Sequence, residues 1–279
     1  MGFLYMSTEL MNRRFRLIVV GDEILSGKRQ DKHLSKLIEL LSERGLMMSG
    51  AEYIGDEPEL ITATLSRSFS TGDVVFSTGG IGATPDDHTR QCAANALGLS
   101  LSLHSEAQQL IAGRILSMAE GDPVKGDLTT ADNQQRMKMG EFPVGSQIIP
   151  NSYNQIPGFS IKEHYFLPGF PVMAAPMMAW VLDTYYKDLF HQVDFVEKGF
   201  IVPLAMESSL TPLMESIENS YPGIKVFSLP SVGDPSRGGV FSKRHIELGV
   251  KGGAALVDKA LPVLRKGVSD LGHEIHDLP

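Results

Sequence analysis

Val74-Val75-Phe76-Ser77-Thr78-Gly79-Gly80-Ile81-Gly82-Ala83-Thr84-Pro85-Asp86-Asp87-His88-Thr89 decides how the rest of the chain is read. The apolar, β-branched start predicts a buried strand that stops at a glycine-rich turn. Glycine has no Cβ and tolerates positive φ, so consecutive backbone N–H groups can close around an anion where a helix begins. Asp86 and Asp87 follow at once, ahead of an alanine-rich helix. Carboxylates beside such a cradle repel a bare phosphate unless a cation sits between them, or unless they hold a ligand hydroxyl instead. The stretch points to a phosphate-bearing cofactor or nucleotide.

On the N-terminal side, residues 1–14 read as a leader. Phe15–Val20 then reads as a buried strand ending at Gly21-Asp22-Glu23. Leu34, Leu37, Ile38 and Leu41 recur at helical spacing up to Gly45, a strand is expected at Met48–Ile54, and Ile61, Leu65 and Phe69 form the next helical stripe. The strand before the glycine turn is placed at 73–77. Beyond the turn, helices are expected at 87–97 and Ser105–Ala119, a loop at 121–127, short strands at Gln147–Ile149 and His164–Leu167, and a long helix at 172–186. This alternation predicts an α/β fold: an open, mostly parallel sheet with helices on both faces.

A boundary is expected at 189–194, separating a domain over 15–190 from a smaller one over 194–279. Strand patterns at 195–204, 224–229 and 240–250 alternate there with helical stripes through Leu210, Leu213, Met214 and Ile217 and through Val257, Leu261, Leu264 and Val268. That β-α-β-β-α order suggests a small α+β, ferredoxin-like sandwich.

The 279 residues carry a formal charge of −8, which argues against a nucleic-acid partner. A polyanionic ligand must therefore be held by backbone amides, helix N-termini or a metal. No apolar run approaches the ~20 residues that span a bilayer, and the first residues lack a signal-peptide pattern. Cys92 is the single cysteine and reads as a small buried residue, which excludes an intrachain disulfide. A cytoplasmic protein without membrane or nucleic-acid partners, assembled as a homo-oligomer, is expected.

In an open α/β sheet, ligands bind beyond the carboxyl ends of the strands. Acidic residues fall there after each of the first three strands: Asp22 and Glu23, then Asp56, then Asp87. Local sequence leaves structural roles open as well. Asp56 opens a capping-box pattern, Asp87 follows Pro85 as another helix start would, and Glu23 fits a solvated loop. Lys28 and Arg90 flank these loops and read as surface residues with the reach to meet phosphate. His273 and His276 read as a solvated tail. The chain has no Gly-Lys-Ser/Thr ending to its glycine turn, no Gly-x-Ser-x-Gly and no His-Glu-x-x-His, so P-loop, serine-hydrolase and zincin chemistries find no support.

Thr78-Gly79-Gly80-Ile81-Gly82 followed by Asp87-x-Thr89 resembles the signature of MoaB/Mog-type molybdopterin-binding domains, and Gly21–Gly27 and Gly55-Asp56-Glu57 look like the first two loops of that fold. The likeness is strongest to the branch forming the N-terminal part of competence/damage-inducible protein A. There Asn133, Pro143-x-Gly145, Asn151, Pro157-Gly158 and Phe166-Leu167-Pro168-Gly169-x-Pro171 also find counterparts, as do Glu207-Ser208 and Leu229-Pro230-Ser231. The chain departs from that branch at Asn133-Gln134-Gln135-Arg136 and at Tyr153-Asn154-Gln155-Ile156, and no counterpart of the deamidase domain that often follows is expected.

The resemblance implies an enzyme acting on a nucleotide phosphoanhydride such as ADP-ribose, with Mg²⁺ or Mn²⁺. Asp56 and Asp87 would serve both as catalytic residues and as metal ligands. Gly21, Glu23, Ser77, Thr78, Gly79, Gly80, Gly82, Thr89, Asn133, Asn151, Pro157 and Gly158 would contact the ligand. The runner-up it implies is a molybdopterin-binding or adenylating protein of molybdenum cofactor biosynthesis, and the altered loop leaves room for a non-catalytic binding module.

Overall fold

In the computed structural model, which describes residues 13–192 and 194–278, strands with two apolar faces organise the N-terminal unit. The expected leader lies mostly outside the described residues. The first strand, β1 (Phe15–Val20), runs into a single helical turn, α1 (Asp22–Leu25), and then α2 (His33–Ser42). There follow β2 (Met48–Ile54), α3 (Pro58–Phe69), β3 (Val74–Thr78), α4 (Thr89–Leu97), β4 (Leu101–Leu103), α5 (Ser105–Ala119) and α6 (Ala131–Met137). The unit closes with β5 (Glu141–Pro143), β6 (Gln147–Ile149), β7 (Gly158–Ile161), β8 (His164–Leu167) and α7 (Pro171–Tyr185). The main sheet has the order β2-β1-β3-β8-β7-β6. Its first four strands are parallel, and β7 runs against both of its neighbours.

Alternation along each strand divides the core in two. Leu17 and Val19 pack with Leu37 and Leu41 of α2 and Met177 and Val181 of α7, while Ile18 and Val20 pack with Ile61 and Leu65 of α3 and Cys92 and Ala93 of α4. β3 is buried over its whole length and carries the glycine turn at its end. His164 on β8 is buried too: its Nδ1 faces the Lys162 carbonyl at 2.8 Å and its Nε2 the Ser68 hydroxyl at 2.8 Å. Burial pushes its pKa down to about 4.

Some elements differ from the sequence expectation. The helix expected from residue 87 begins at Thr89, because the residues before it are held in a turn. Helix α6, strand β7 and the β4–β5 ladder carry too few residues to show a period. β7 is stabilised by a stack that only the folded chain creates, with Phe159 4.7 Å from Phe142 and 4.4 Å from Phe166 between ring centroids.

The boundary between the two compact units falls between Phe190 and His191. The second unit comprises β9 (Phe195–Pro203), α8 (Glu207–Ser220), β10 (Lys225–Ser231), β11 (His245–Gly253), α9 (Ala254–Asp270) and β12 (His276–Asp277). Its antiparallel sheet is ordered β10-β11-β9-β12. Leu210 and Ile217 of α8 and Val257, Leu264 and Val268 of α9 cover Phe200, Val202 and Leu248. The strand expected from 240 starts only at His245, since Gly238 and Gly239 take positive φ and the chain makes a short 3-10 turn at Gly239–Ser242. His276, read as tail, adds the short fourth strand beside β9. No helix among the described residues is long and apolar enough to cross a membrane.

Candidate functional site

A cleft of about 390 Å³ opens where β1, β2, β3 and β8 end, where a parallel sheet is expected to bind its ligand. One wall is the glycine turn. Gly79 has φ +97°, and a Cβ there would overlap the Val20 carbonyl oxygen; Gly80 has φ +69°, and a Cβ would overlap the Thr89 hydroxyl. The backbone can therefore pass this close to β1 and α4 only as glycine. The Gly79 amide donates to the Leu167 carbonyl at 3.0 Å, and the Thr89 amide to the Gly80 carbonyl at 2.9 Å.

Asp87 holds the far side of the turn. Its Oδ1 accepts from the Gly82 amide at 2.8 Å, and its Oδ2 accepts from the Thr84 amide at 2.8 Å and the Thr84 hydroxyl at 2.5 Å. The alternative helix-capping role fails, because α4 starts beyond Asp87 with His88 at its N-cap. Arg90, expected at the surface, is buried; its guanidinium donates to the Gly82 carbonyl at 2.7 Å and to the Lys138 carbonyl. Burial lowers its pKa from the ordinary arginine value, opposed by the charges of Asp87 and Glu141. Of the three glycine amides expected to cradle phosphate, those of Gly79 and Gly82 are thus already bonded. Among the described residues, those of Gly80 and Ile81 carry no partner.

The opposite arrangement holds at the acidic loops. The Asp22 amide donates to Asp56 Oδ2 at 2.9 Å, and the Asp56 amide to Asp22 Oδ1 at 3.3 Å. Gly55 permits the approach: a Cβ there would stand 2.7 Å from Asp22 Oδ1. Asp56 does not cap α3, which starts at Pro58 with Glu57 at its N-cap. Burial raises the pKa of the Asp56 carboxyl above the usual carboxylate value; the Asp22 amide opposes this, while the charges of Asp22, Glu23 and Asp86 add to it. Lys28 stands at the outer rim beside these carboxylates.

Of the residues singled out from sequence, Gly21, Glu23, Asp56, Gly79, Gly80, Gly82, Asp87, Asn151 and Pro157 line the cleft together. Ser77, Thr78, Thr89, Asn133 and Gly158 do not. Ser77 and Thr78 are buried within β3, and the Thr89 hydroxyl donates to the Gly79 carbonyl at 3.1 Å. Asn133 fastens the preceding loop, donating to the carbonyls of Lys125 and Asp127 at 2.9 Å each. Gly158 is packed under α7, where a Cβ would come within 2.9 Å of Met177 Cε. Arg29, Phe170 and Met173 also line the cleft and were missed, and Asn154 of the altered loop joins them. Phe170 fills the open position of the Pro168-Gly169-x-Pro171 run; Arg29 has no local signal.

Fold and cleft together define an α/β domain with an open cleft at the carboxyl edge of a mostly parallel sheet. The family described as "Probable molybdopterin binding domain" matches residues 16–188, and the chain belongs to it. A CinA-like protein of Anaeromyxobacter dehalogenans is 30% identical over 160 residues, covering 56% of this chain and 37% of that protein. The chain thus spans little more than a third of such relatives. A protein of Aeropyrum pernix is 28% identical over 272 residues, covering 94% of this chain and 96% of its own length. Among solved structures, the CinA protein of unknown function from Thermoplasma acidophilum superposes with a TM-score of 0.50 at 24% identity, over 64% of this chain and 99% of that one, a likeness of fold.

Proposed function

We propose that the chain hydrolyses the phosphoanhydride of a nucleotide such as ADP-ribose, assisted by Mg²⁺ or Mn²⁺. The observation that carries this reading is that Asp56, whose carboxyl burial pushes above its usual pKa, lines the same cleft as the open amides of Gly80 and Ile81. Those amides would take a phosphate oxygen, and Asp56 would accept a proton from the attacking water as the bridging P–O bond breaks.

The residues fit a cation that arrives with the ligand. Among the described residues no three His, Cys, Asp or Glu side chains form a ready metal cage, but Mg²⁺ is commonly held by one or two carboxylates together with substrate phosphates. Asp56 and Asp22 would hold it, and their mutual repulsion is what a divalent charge relieves. Bound there, it would neutralise charge building on the phosphates. Asp87, whose oxygens are engaged with the turn, is assigned to bracing the cradle.

A second reading, molybdopterin binding or adenylation, is favoured by the family match over residues 16–188. Thermal shift of the full chain against ADP-ribose, FAD, ATP and molybdopterin, each with and without Mg²⁺ or Mn²⁺, separates the two, because a specific ligand raises the melting point by mass action. A metal-dependent rise with ADP-ribose supports the hydrolase. A rise with molybdopterin alone supports the second reading.

A further inference from the structure

Another part of the cleft lining differs in chemistry from the acidic loops. Ile156, Pro157 and Met173 make it apolar, and Phe170, 53% exposed, joins them just before α7. The Arg29 guanidinium lies over that ring, 5.9 Å from its centroid. Among the described residues Arg29 forms no ion pair, although Glu23, Asp56, Asp86 and Asp87 line the same cleft. A guanidinium set against an aromatic face rather than a carboxylate keeps its flat surface and its donors for a ligand. Asn154 adds a reading edge. Its Oδ1 is occupied by Asn151 Nδ2 and the Ile156 amide, while its Nδ2 meets only the Met173 sulfur at 3.6 Å, a weak acceptor.

We propose that Phe170 and Arg29 grip a planar heteroaromatic ring. The ligand is then a phosphorylated heterocycle, a nucleobase or a pterin, with its ring on the Phe170 wall and its phosphate toward Gly80 and Ile81. The proposal rests on the reading above only in sending phosphate to the glycine turn. It requires neither hydrolysis nor a metal.

The test is calorimetric titration of the full chain, in Mg²⁺, with ADP, a pterin phosphate and ribose 5-phosphate, which has no aromatic ring. Phe170→Ala is expected to weaken the ring-bearing probe that binds by roughly tenfold to a hundredfold, and to leave ribose 5-phosphate unchanged. Phe170→Trp should restore affinity, and Arg29→Ala should weaken the same probe. ADP or the pterin responding identifies the source of the ring. Binding of neither by the wild type, or equal losses for ring-bearing and ringless probes, overturns the proposal. Ring-dependent binding without any cleavage of ADP-ribose would leave the clamp standing and remove the hydrolase. Cleavage that persists with no ring dependence would do the reverse.

Discussion

The glycine turn after β3 and the acidic loops after β1 and β2 face one cleft but commit their polar groups in opposite ways. In the turn, the Asp87 carboxylate accepts from backbone amides and the buried Arg90 guanidinium donates to the Gly82 carbonyl, so both side chains stabilise a backbone shape. In the loops, each carboxylate takes a single amide and is left near others of its own sign. Two aspartates that look alike in sequence therefore do different work: one fixes the cradle, the other stays chemically available.

Four perturbations break or sharpen this contrast. Asp56→Asn keeps size but removes the base, and turnover should fall roughly a hundredfold or more. The melting point should hold or rise, because the ionised form is the one its surroundings disfavour; a drop in stability with turnover intact would reverse the assignment. Gly79→Ala forces a side chain into a positive φ and against the Val20 carbonyl. Chemical denaturation should show a loss of roughly 2–4 kcal/mol.

Asp87→Asn places an NH₂ group against donors and should cost roughly 1–3 kcal/mol in the same measurement. Turnover per folded molecule should drop much less than for Asp56→Asn. The smallest effect concerns His164, away from both walls. Its folded pKa lies below the unfolded value, so between the two the unfolded chain binds more protons and stability rises with pH. From about pH 7 to about pH 5 its contribution should decline by roughly 1–2 kcal/mol. His164→Phe should flatten that part of the stability curve without altering the acid limb expected from Asp56 under the proposed hydrolysis.

Legibility followed the same contrast. β1 and β3 were readable because each buried strand carries a run of apolar or β-branched residues, and the glycine turn because no other residue type fits its backbone. β7 was hidden, since Phe159 matters through rings contributed by Phe142 and Phe166, and the β4–β5 ladder pairs segments too short to signal themselves. At the site, spacing located the loops but not their bonding. Asn133 and Thr89 match a motif yet act as fasteners, and Arg29 reaches the cleft only through the path of the chain after α1. Residue type announces chemical capacity; hydrogen-bond commitment appears only in the folded chain.

The central claim, that an available Asp56 in one cleft with open amides serves phosphoanhydride cleavage, is met most directly by phosphorus NMR of ADP-ribose incubated with the full chain and Mg²⁺ or Mn²⁺. The account predicts conversion to AMP and ribose 5-phosphate, halted by chelation and by Asp56→Asn. ADP-ribose left intact by folded protein in the presence of either metal, or cleaved equally well by Asp56→Asn, would contradict it.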